Sequence, residues 1–284
     1  MVNNSFNEFN VEKSFHLNDQ TFKNSKTFKY LGCLQNIDNN YSDEINSRVM
    51  SAYDIFNKNK IAIFDNSREL SFKVILANFK VLILSVMLYG CEVWVLNKND
   101  VSILDRLQFR LLKQIFRLGD YDNKTSYLDL LMLSHKYGIQ LLPIEIIIRK
   151  RRLTYFGKIM QSKEYSLIKL IINSDVKGGK RKSGGVGKNY RSIIKDDFKQ
   201  LDLNISMAYD SKLWLKTLSV NTFNSFKKFC VMRMSETNYN KVHISDKGRK
   251  VKANTIYQLN KMKIFISVDE NRGRVLNNLD LSFL

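Results

Sequence analysis

Apolar residues spaced three or four positions apart run through most of this chain, a pattern typical of helices with one buried face. The first helix is predicted to begin with Ser42 as its N-cap. Its inward residues are Ile45, Val49, Ala52 and Phe56. A second helix is predicted from about residue 67 to 89, with these inward positions: Leu70, Val74, Ala77, Val81, Leu84 and Leu88.

Glycine and proline place the limits of the next three helices. One is predicted over residues 100–118, where Gly119 stops it, and another over 126–136, closed by Gly138. A third begins at Pro143 and contains Gly157. Because glycine in a helix costs about 1 kcal/mol relative to alanine, Gly157 indicates a close approach by another helix or backbone segment.

The remaining patterns predict a mainly α protein with a short N-terminal β strand or hairpin. Residues 1–26 are too polar for a helix and are expected to form a strand or two before a strand at 27–31. The Gly/Lys-rich stretch 177–189 is typical of a flexible linker. Later helices are predicted over 190–201, 214–232 and 255–266. The predicted organisation is a strand segment (1–41), a helical domain (42–176), the basic linker (177–189) and a smaller helical C-terminal region (190–284).

Charge is distributed unevenly along the chain. The net formal charge is +19, and residues 1–148 contribute only +1 of it, from 17 basic and 16 acidic residues. Residues 149–199 carry 15 basic and 4 acidic side chains, and residues 227–252 carry 8 and 2. Such concentration favours a polyanionic partner, above all nucleic acid. The alternative is a lysine-rich composition spread over solvated surfaces.

Several other kinds of chemistry find no support in the sequence. Three separated cysteines and three separated histidines give neither a zinc motif nor a disulfide framework. No secretory signal is evident, and the apolar run 81–96 is too short for a membrane span. The glycines of the linker do not match the phosphate-binding loop pattern. We therefore expect an intracellular protein, in nucleus or cytoplasm, without a membrane or small-molecule partner.

Two groups of basic residues lie on predicted helices. Arg106, Arg110, Lys113 and Arg117 form a stripe on one helix face, which is either solvated or turned towards phosphates. Residues 149–152 are four consecutive basic residues, and they must circle the helix because neighbours are about 100° apart. Not all four can face one partner. Five aromatic residues accompany these charges, and each either stacks on a base or belongs to the core: Tyr155, Phe156, Tyr190, Phe198 and Trp214.

Four short motifs follow one another in a fixed order. Motif 1 is Phe-Lys-Tyr-Leu-Gly at residues 28–32, and motif 2 is Tyr-Gly-Cys-Glu-Val-Trp at 89–94. Motif 3 is Arg-Arg-Leu-Thr-Tyr-Phe-Gly at 151–157, and motif 4 is the basic stretch 178–188 with the following residues 194–198. Their order and spacing resemble the C-terminal part of non-LTR (LINE-type) retrotransposon reverse transcriptases. Cys91, Val93, Tyr155 and Lys158 depart from the family motifs, as does Gly185-Val186 in place of Arg-Pro.

The resemblance covers about residues 10–230 and implies the end of a palm, a helical thumb and a connector that hold a template–primer duplex. It begins after the region where the family keeps its catalytic carboxylates. Asp196-Asp197 is the only Asp-Asp pair, and its helical context favours a structural role over catalysis. The chain is therefore expected to bind RNA, DNA or RNA–DNA hybrid without polymerising alone. It needs no cofactor itself, because Mg²⁺ would act only in the full-length enzyme. A separate polypeptide with the palm is a conceivable partner.

The residues expected to contact nucleic acid are all basic. They are Lys29, Arg106, Arg110, Lys113, Arg117, Arg149, Lys150, Arg151, Arg152, Lys158, Lys180, Arg181, Lys182 and Lys188. Two alternatives stay open: a host nucleic-acid-binding or protein-interaction module derived from a retrotransposon, and a decayed open reading frame without function.

Overall fold

The computed structural model is mostly helical, with two short hairpins before the helices, which confirms the predicted fold class. It describes residues 14–17, 20–23, 25–36, 41–66, 69–118, 125–173 and 190–244. Strand β1 (Ser14–Leu17) pairs antiparallel with β2 (Gln20–Lys23), and β3 (Thr27–Tyr30) pairs antiparallel with β4 (Cys33–Asn36). The sequence pattern missed β4, whose partner strand belongs to motif 1.

Helix α1 spans Ser42–Lys58 and ends beside a π-helical turn, Lys60–Phe64. Ile45, Ala52 and Phe56 are fully buried as predicted. Ser42 is the first helical residue rather than the N-cap, a difference of one position. Phe56 stacks on Phe64, with ring centroids 4.5 Å apart, so the turn folds back onto the helix.

The second predicted helix is present, and its buried face was predicted only in part, since Leu84 and Leu88 are buried as predicted. Helix α2 (Phe72–Asn78) continues through a π-helical segment (Phe79–Leu84) into α3 (Ser85–Met87). Val74 and Val81 are exposed, whereas the buried positions include Ile75, Phe79, Ile83 and Met87. Together with Leu76, Leu84 and Leu88 they form one buried stripe, and the π-helical segment with its i→i+5 hydrogen bonds runs through the middle of it.

Helices α4 (Lys98–Ile115), α5 (Tyr127–Lys136) and α6 (Ile144–Met160) lie close to the predicted limits. Reciprocal capping boxes begin two of them, Asn97 with Asp100 and Ser126 with Asp129. Gly138 follows α5 with a φ of +81°, a conformation that glycine adopts without strain.

The helices after α6 pack with α6 around an apolar cluster, the second core. They are α7 (Leu167–Asn173), α8 (Tyr190–Gln200) and α9 (Ser211–Ile244), with a 3₁₀ turn at Ile205–Tyr209. The core cluster combines Leu153 and Phe156 of α6 with Ile194 and Phe198 of α8 and Trp214 of α9. Helix α8 therefore packs on α6 in one unit. That unit extends to Phe226, and a second begins at Lys227 and is helical as far as Ile244.

The predicted linker 177–189 and the predicted helix 255–266 lie outside the described residues. Among the residues that are described, no helix is long and apolar enough to cross a membrane.

Candidate nucleic-acid interface

Motifs 1 and 2, nearly sixty residues apart, are joined by direct contacts. Leu31 and Gly32 form the two-residue turn between β3 and β4, both with positive φ. The Tyr89 hydroxyl donates to the Leu31 carbonyl at 3.2 Å. At Gly90, a Cβ atom would stand 3.0 Å from Sγ of Cys33, so the hairpin and motif 2 approach closely at this point.

Two charged residues of α1 hold the hairpin in place. Glu44, 2% exposed, accepts a hydrogen bond from the Leu34 backbone N–H at 2.7 Å and another from Nε of Arg48 at 2.6 Å. Arg48 donates to the Gly32 carbonyl at 2.5 Å, and its guanidinium lies 4.7 Å from the centroid of the Tyr89 ring. This pair, in which Glu44 is buried and Arg48 partly buried, fixes motif 1 against motif 2, and its residue spacing within α1 was not recognised as a site from the sequence.

An open groove of about 630 Å³ lies where motifs 1, 2 and 3 meet. Tyr30 and Leu31 come from motif 1, Tyr89 and Glu92 from motif 2, and Tyr155 from motif 3. Tyr30 is 59% exposed and Leu31 is 75% exposed. Leu31 also has a φ of +46°, which is uncommon for a residue with a side chain and is often found where function demands it. The groove thus presents aromatic rings and an apolar tip to solvent.

Motif 3 is anchored to motif 2 through backbone carbonyls. Arg152 donates to the carbonyl of Trp94 at 3.1 Å, and Arg151 donates to the carbonyl of Leu88, just before motif 2, at 3.0 Å. Trp94 is 1% exposed. Both arginines therefore donate to backbone carbonyls of the same chain, and these hydrogen bonds fix α6 beside the groove.

Motif 4 is joined to motif 3 by a buried ion pair. Asp197 of α8 accepts from Arg152 at 2.7 Å, and its other oxygen lies 3.4 Å from Nε of Arg149. Burial raises the pKa of Asp197, although the two arginines oppose that rise. Asp196 beside it is exposed. The structural role expected for this Asp-Asp pair fits Asp197, whose carboxylate pairs with Arg152 and lies close to Arg149, which also pairs with Glu145.

The four consecutive basic residues of α6 divide between two sides of the helix, as their spacing requires. Arg149 and Arg152 face Asp197, and Arg152 is only 4% exposed. Lys150 and Arg151 lie on the opposite side, within about 100° of Lys158 on the helical wheel. Lys158 is exposed. This side of α6, formed by Lys150, Arg151 and Lys158, is called here the basic face.

The other predicted contact residues are scattered. Lys29 is exposed on β3 but does not line the groove, since it points to the opposite face of the strand from Tyr30. Arg106 and Arg110 are exposed on α4, and Lys113 lies 5.7 Å from the ring centroid of Phe109. Arg117 follows α4 and donates to the carbonyl of Asp65 at 2.7 Å, so it links the end of α4 to the residue after the first π-helical turn. Lys180, Arg181, Lys182 and Lys188 lie outside the described residues.

Most of the aromatic residues considered for base stacking belong to the second core. Phe156, Phe198 and Trp214 are buried, with Phe198 lying 5.5 Å from Phe156 and 5.6 Å from Trp214 between ring centroids. Tyr155 and Tyr190 are partly buried against the same cluster. Only Tyr155 of the five lines the groove.

In the described part of the chain no group of three or more histidine, cysteine, aspartate or glutamate side chains is placed to hold a metal ion. Comparison of the chain with family models, with curated proteins and with solved structures gives no match.

Proposed function

We propose that this chain binds a template–primer duplex, as the thumb-side part of a non-LTR type reverse transcriptase would, and that it does not polymerise by itself. One observation carries the proposal. Motifs 1, 2 and 3, spread over more than 120 residues of sequence, line a single open groove and are held there by hydrogen bonds. Segments that resemble one family in order are thus also neighbours in space.

The surface of the groove suits nucleic acid chemically. Tyr30 and Phe28 of the hairpin are 59% and 63% exposed, and exposed aromatic rings stack on bases without regard to sequence. Arg151 lines the groove together with Tyr30. A cation beside a stacking ring binds the phosphate backbone and releases its counterions. The combination favours binding with little sequence preference.

The absence of polymerisation rests on the Asp-Asp pair. Asp197 pairs with Arg152 and lies close to Arg149 in a buried site, so it is committed to the fold rather than free to hold a metal ion. Asp196 alone cannot supply the paired carboxylates that two-metal phosphoryl transfer requires.

Fluorescence anisotropy with labelled RNA–DNA hybrid, duplex DNA and single-stranded RNA, over a series of salt concentrations, tests the proposal. We expect binding that weakens steeply as salt rises. Replacing the exposed Tyr30 by alanine should weaken it by about fivefold to a hundredfold, given that one stacked base contributes ~1–3 kcal/mol. The matched control is Tyr165→Ala, because Tyr165 is also exposed, at 86%, but stands apart from the groove.

Two results would contradict the proposal. Affinity that is absent for all three nucleic acids would favour the protein-interaction alternative, and equal effects of the two tyrosine changes would move the contact away from the groove. Primer extension with Mg²⁺ should yield no product from the purified chain. Robust extension would show that the chain holds an active site of its own.

A further inference from the structure

The groove contains a carboxylate that the fold does not use. Among the described residues that line the groove, Glu92 is the one carboxylate and Arg151 the one cation. Glu44 and Asp197, which lie outside the groove, each form a salt bridge with an arginine. Glu92 forms no salt bridge with any residue in the described part of the chain. Its carboxylate oxygens therefore keep their capacity to accept hydrogen bonds from a ligand.

The local backbone turns Glu92 towards the groove. Glu92 is the middle residue of a 3₁₀ turn, Cys91–Val93. Cys91 is fully buried, whereas Glu92 is partly exposed and Val93 is 45% exposed. The Tyr41 hydroxyl donates to the Val93 carbonyl at 3.3 Å, which ties the turn to the residue before α1. The carboxylate is thus presented from an anchored turn.

The other side chains of the groove complement this carboxylate. Arg151 donates to the Leu88 carbonyl through one terminal nitrogen, and its remaining N–H groups include donors for a phosphate. Tyr30 and Tyr155 supply aromatic rings. Rings, a cation and a carboxylate match the three parts of a ribonucleotide, namely a base that stacks, a phosphate and a sugar that carries a hydroxyl donor.

A carboxylate next to a polyanion is unfavourable unless the ligand donates a hydrogen bond to it, because like charges placed together repel. The base donors of a paired strand are largely taken by the partner strand. The 2′-hydroxyls of RNA, in contrast, lie open along the wide and shallow minor groove of an A-form duplex, and DNA lacks them. An RNA strand can therefore offset the charge of Glu92 where a DNA strand cannot.

We propose that Glu92 accepts a hydrogen bond from a ribose 2′-hydroxyl, so that the groove binds an RNA strand in preference to a DNA strand. This inference rests on the function proposed above and adds to it the class of strand that occupies the groove. The carboxylate discriminates in two ways, since it attracts the correct sugar and repels a backbone that offers no donor.

Anisotropy measurements on the full chain with three duplexes of one sequence test this role: an RNA–DNA hybrid, duplex DNA, and a hybrid whose RNA strand carries 2′-O-methyl groups. The methyl group removes the hydroxyl donor and leaves a ribose in place. We expect the unaltered chain to bind the unmodified hybrid about tenfold more tightly than either other duplex, as a hydrogen bond to a charged group allows.

Glu92→Ala should remove this preference by weakening the binding of the unmodified hybrid, while duplex DNA binds as before or more tightly. Glu92→Gln keeps an acceptor oxygen without the charge, so its preference should lie between those of the other two chains. The matched control is Glu164→Ala, because Glu164 is exposed and does not line the groove. This control loses the same charge and should keep the full preference for the hybrid.

Three results would overturn the role of Glu92 and leave the proposed function in place. A hybrid preference that persists in Glu92→Ala, or a methylated hybrid that binds as tightly as the unmodified one, would show that duplex shape is recognised instead. Equal weakening of hybrid and DNA by Glu92→Ala would assign the carboxylate to a base amino group. Equal strengthening of all three would mean that Glu92 only repels phosphates. Absent binding of every duplex would overturn the proposed function and this role together.

Discussion

Trp214 lies directly against Gly157, where helix α9 crosses helix α6. The indole Nε1 donates to the Leu153 carbonyl at 3.1 Å, and a Cβ atom on residue 157 would come closer than 3.0 Å to the indole ring. Trp214 is 1% exposed, so the ring has no room to withdraw. Gly157, which was predicted to mark a close helix contact, thus packs directly against the ring of Trp214.

Replacing Gly157 by alanine should therefore destabilise the protein, although alanine favours a helix. We expect the free energy of unfolding to fall by about 1–3 kcal/mol, the usual effect of overpacking a rigid core. Urea denaturation followed by tryptophan fluorescence measures the change. Lys158→Ala, on an exposed position of the same helix, is the control and should stay within ~0.5 kcal/mol of the unaltered chain. A stabilised Gly157→Ala variant would show that the indole is free to move.

Replacing Asp197 by asparagine should be costly as well, because Arg152 would keep a buried charge without its counterion. We expect a loss of about 3 kcal/mol in the free energy of unfolding, as when one partner of a buried ion pair is removed. Asp196→Asn is a closely matched control, since Asp196 is the exposed neighbour on the same helix. Equal effects of the two changes in urea denaturation would mean that the ion pair contributes nothing specific.

Local signals in the sequence predicted the limits of the helices well. They did not predict which residues form ion pairs with the charged side chains of those helices. Ser126 with Asp129 and Gly138 mark the two ends of α5 within a few residues, because capping depends only on neighbours in sequence. The partner of Arg152 lies 45 residues away, on a helix beyond the basic linker. A run of four basic residues indicates that some must turn inward, but nothing local tells which carboxylate they meet.

The buried face of the second predicted helix is the other partial failure. The spacing of Val74, Val81 and Leu88 fits an α-helix, yet the structure exposes both valines. Val74 precedes the π-helical segment and Val81 lies within it, whereas Leu84 and Leu88 are buried as predicted. The apolar residues between positions 74 and 88 are too dense for their spacing to single out one buried face.

The hydroxyl of Tyr190 is buried and makes no hydrogen bond to any described residue, although its ring packs against the second core. Tyr190→Phe should consequently leave the protein at pH 7 as stable as before or up to about 1 kcal/mol more stable, because an unsatisfied buried hydroxyl is removed.

Alkaline pH gives the same substitution a second consequence. Burial raises the pKa of Tyr190 to about 12 from 10.0. The folded state then holds its proton more tightly than the unfolded state, so stability is lost as pH rises from about 10 towards 12. Between pH 9 and 11.5, the thermal unfolding temperature of Tyr190→Phe should therefore decrease less steeply with pH than that of the unaltered chain. Parallel curves would indicate that the phenol titrates normally in the folded protein.

The three cysteines should differ sharply in reactivity, and one of them reports on the groove. Cys33 is half-buried and lines the groove, whereas Cys91 and Cys230 are buried. Burial raises the pKa of both buried thiols to about 12, so almost none of either is present as the reactive thiolate at pH 8. An aromatic disulfide reagent should therefore modify one thiol well before the other two, and Cys33→Ser should abolish that first phase.

The rate of the first phase measures occupancy of the groove. Burial also raises the pKa of Cys33, so its reaction should accelerate as pH rises above 8. RNA–DNA hybrid at a saturating concentration should slow the reaction at least severalfold, because a duplex seated on Tyr30 and Leu31 would block access to Cys33, which lines the same groove. High salt should release the hybrid and restore the rate. A rate that stays constant while anisotropy reports full binding would place the nucleic acid on another surface.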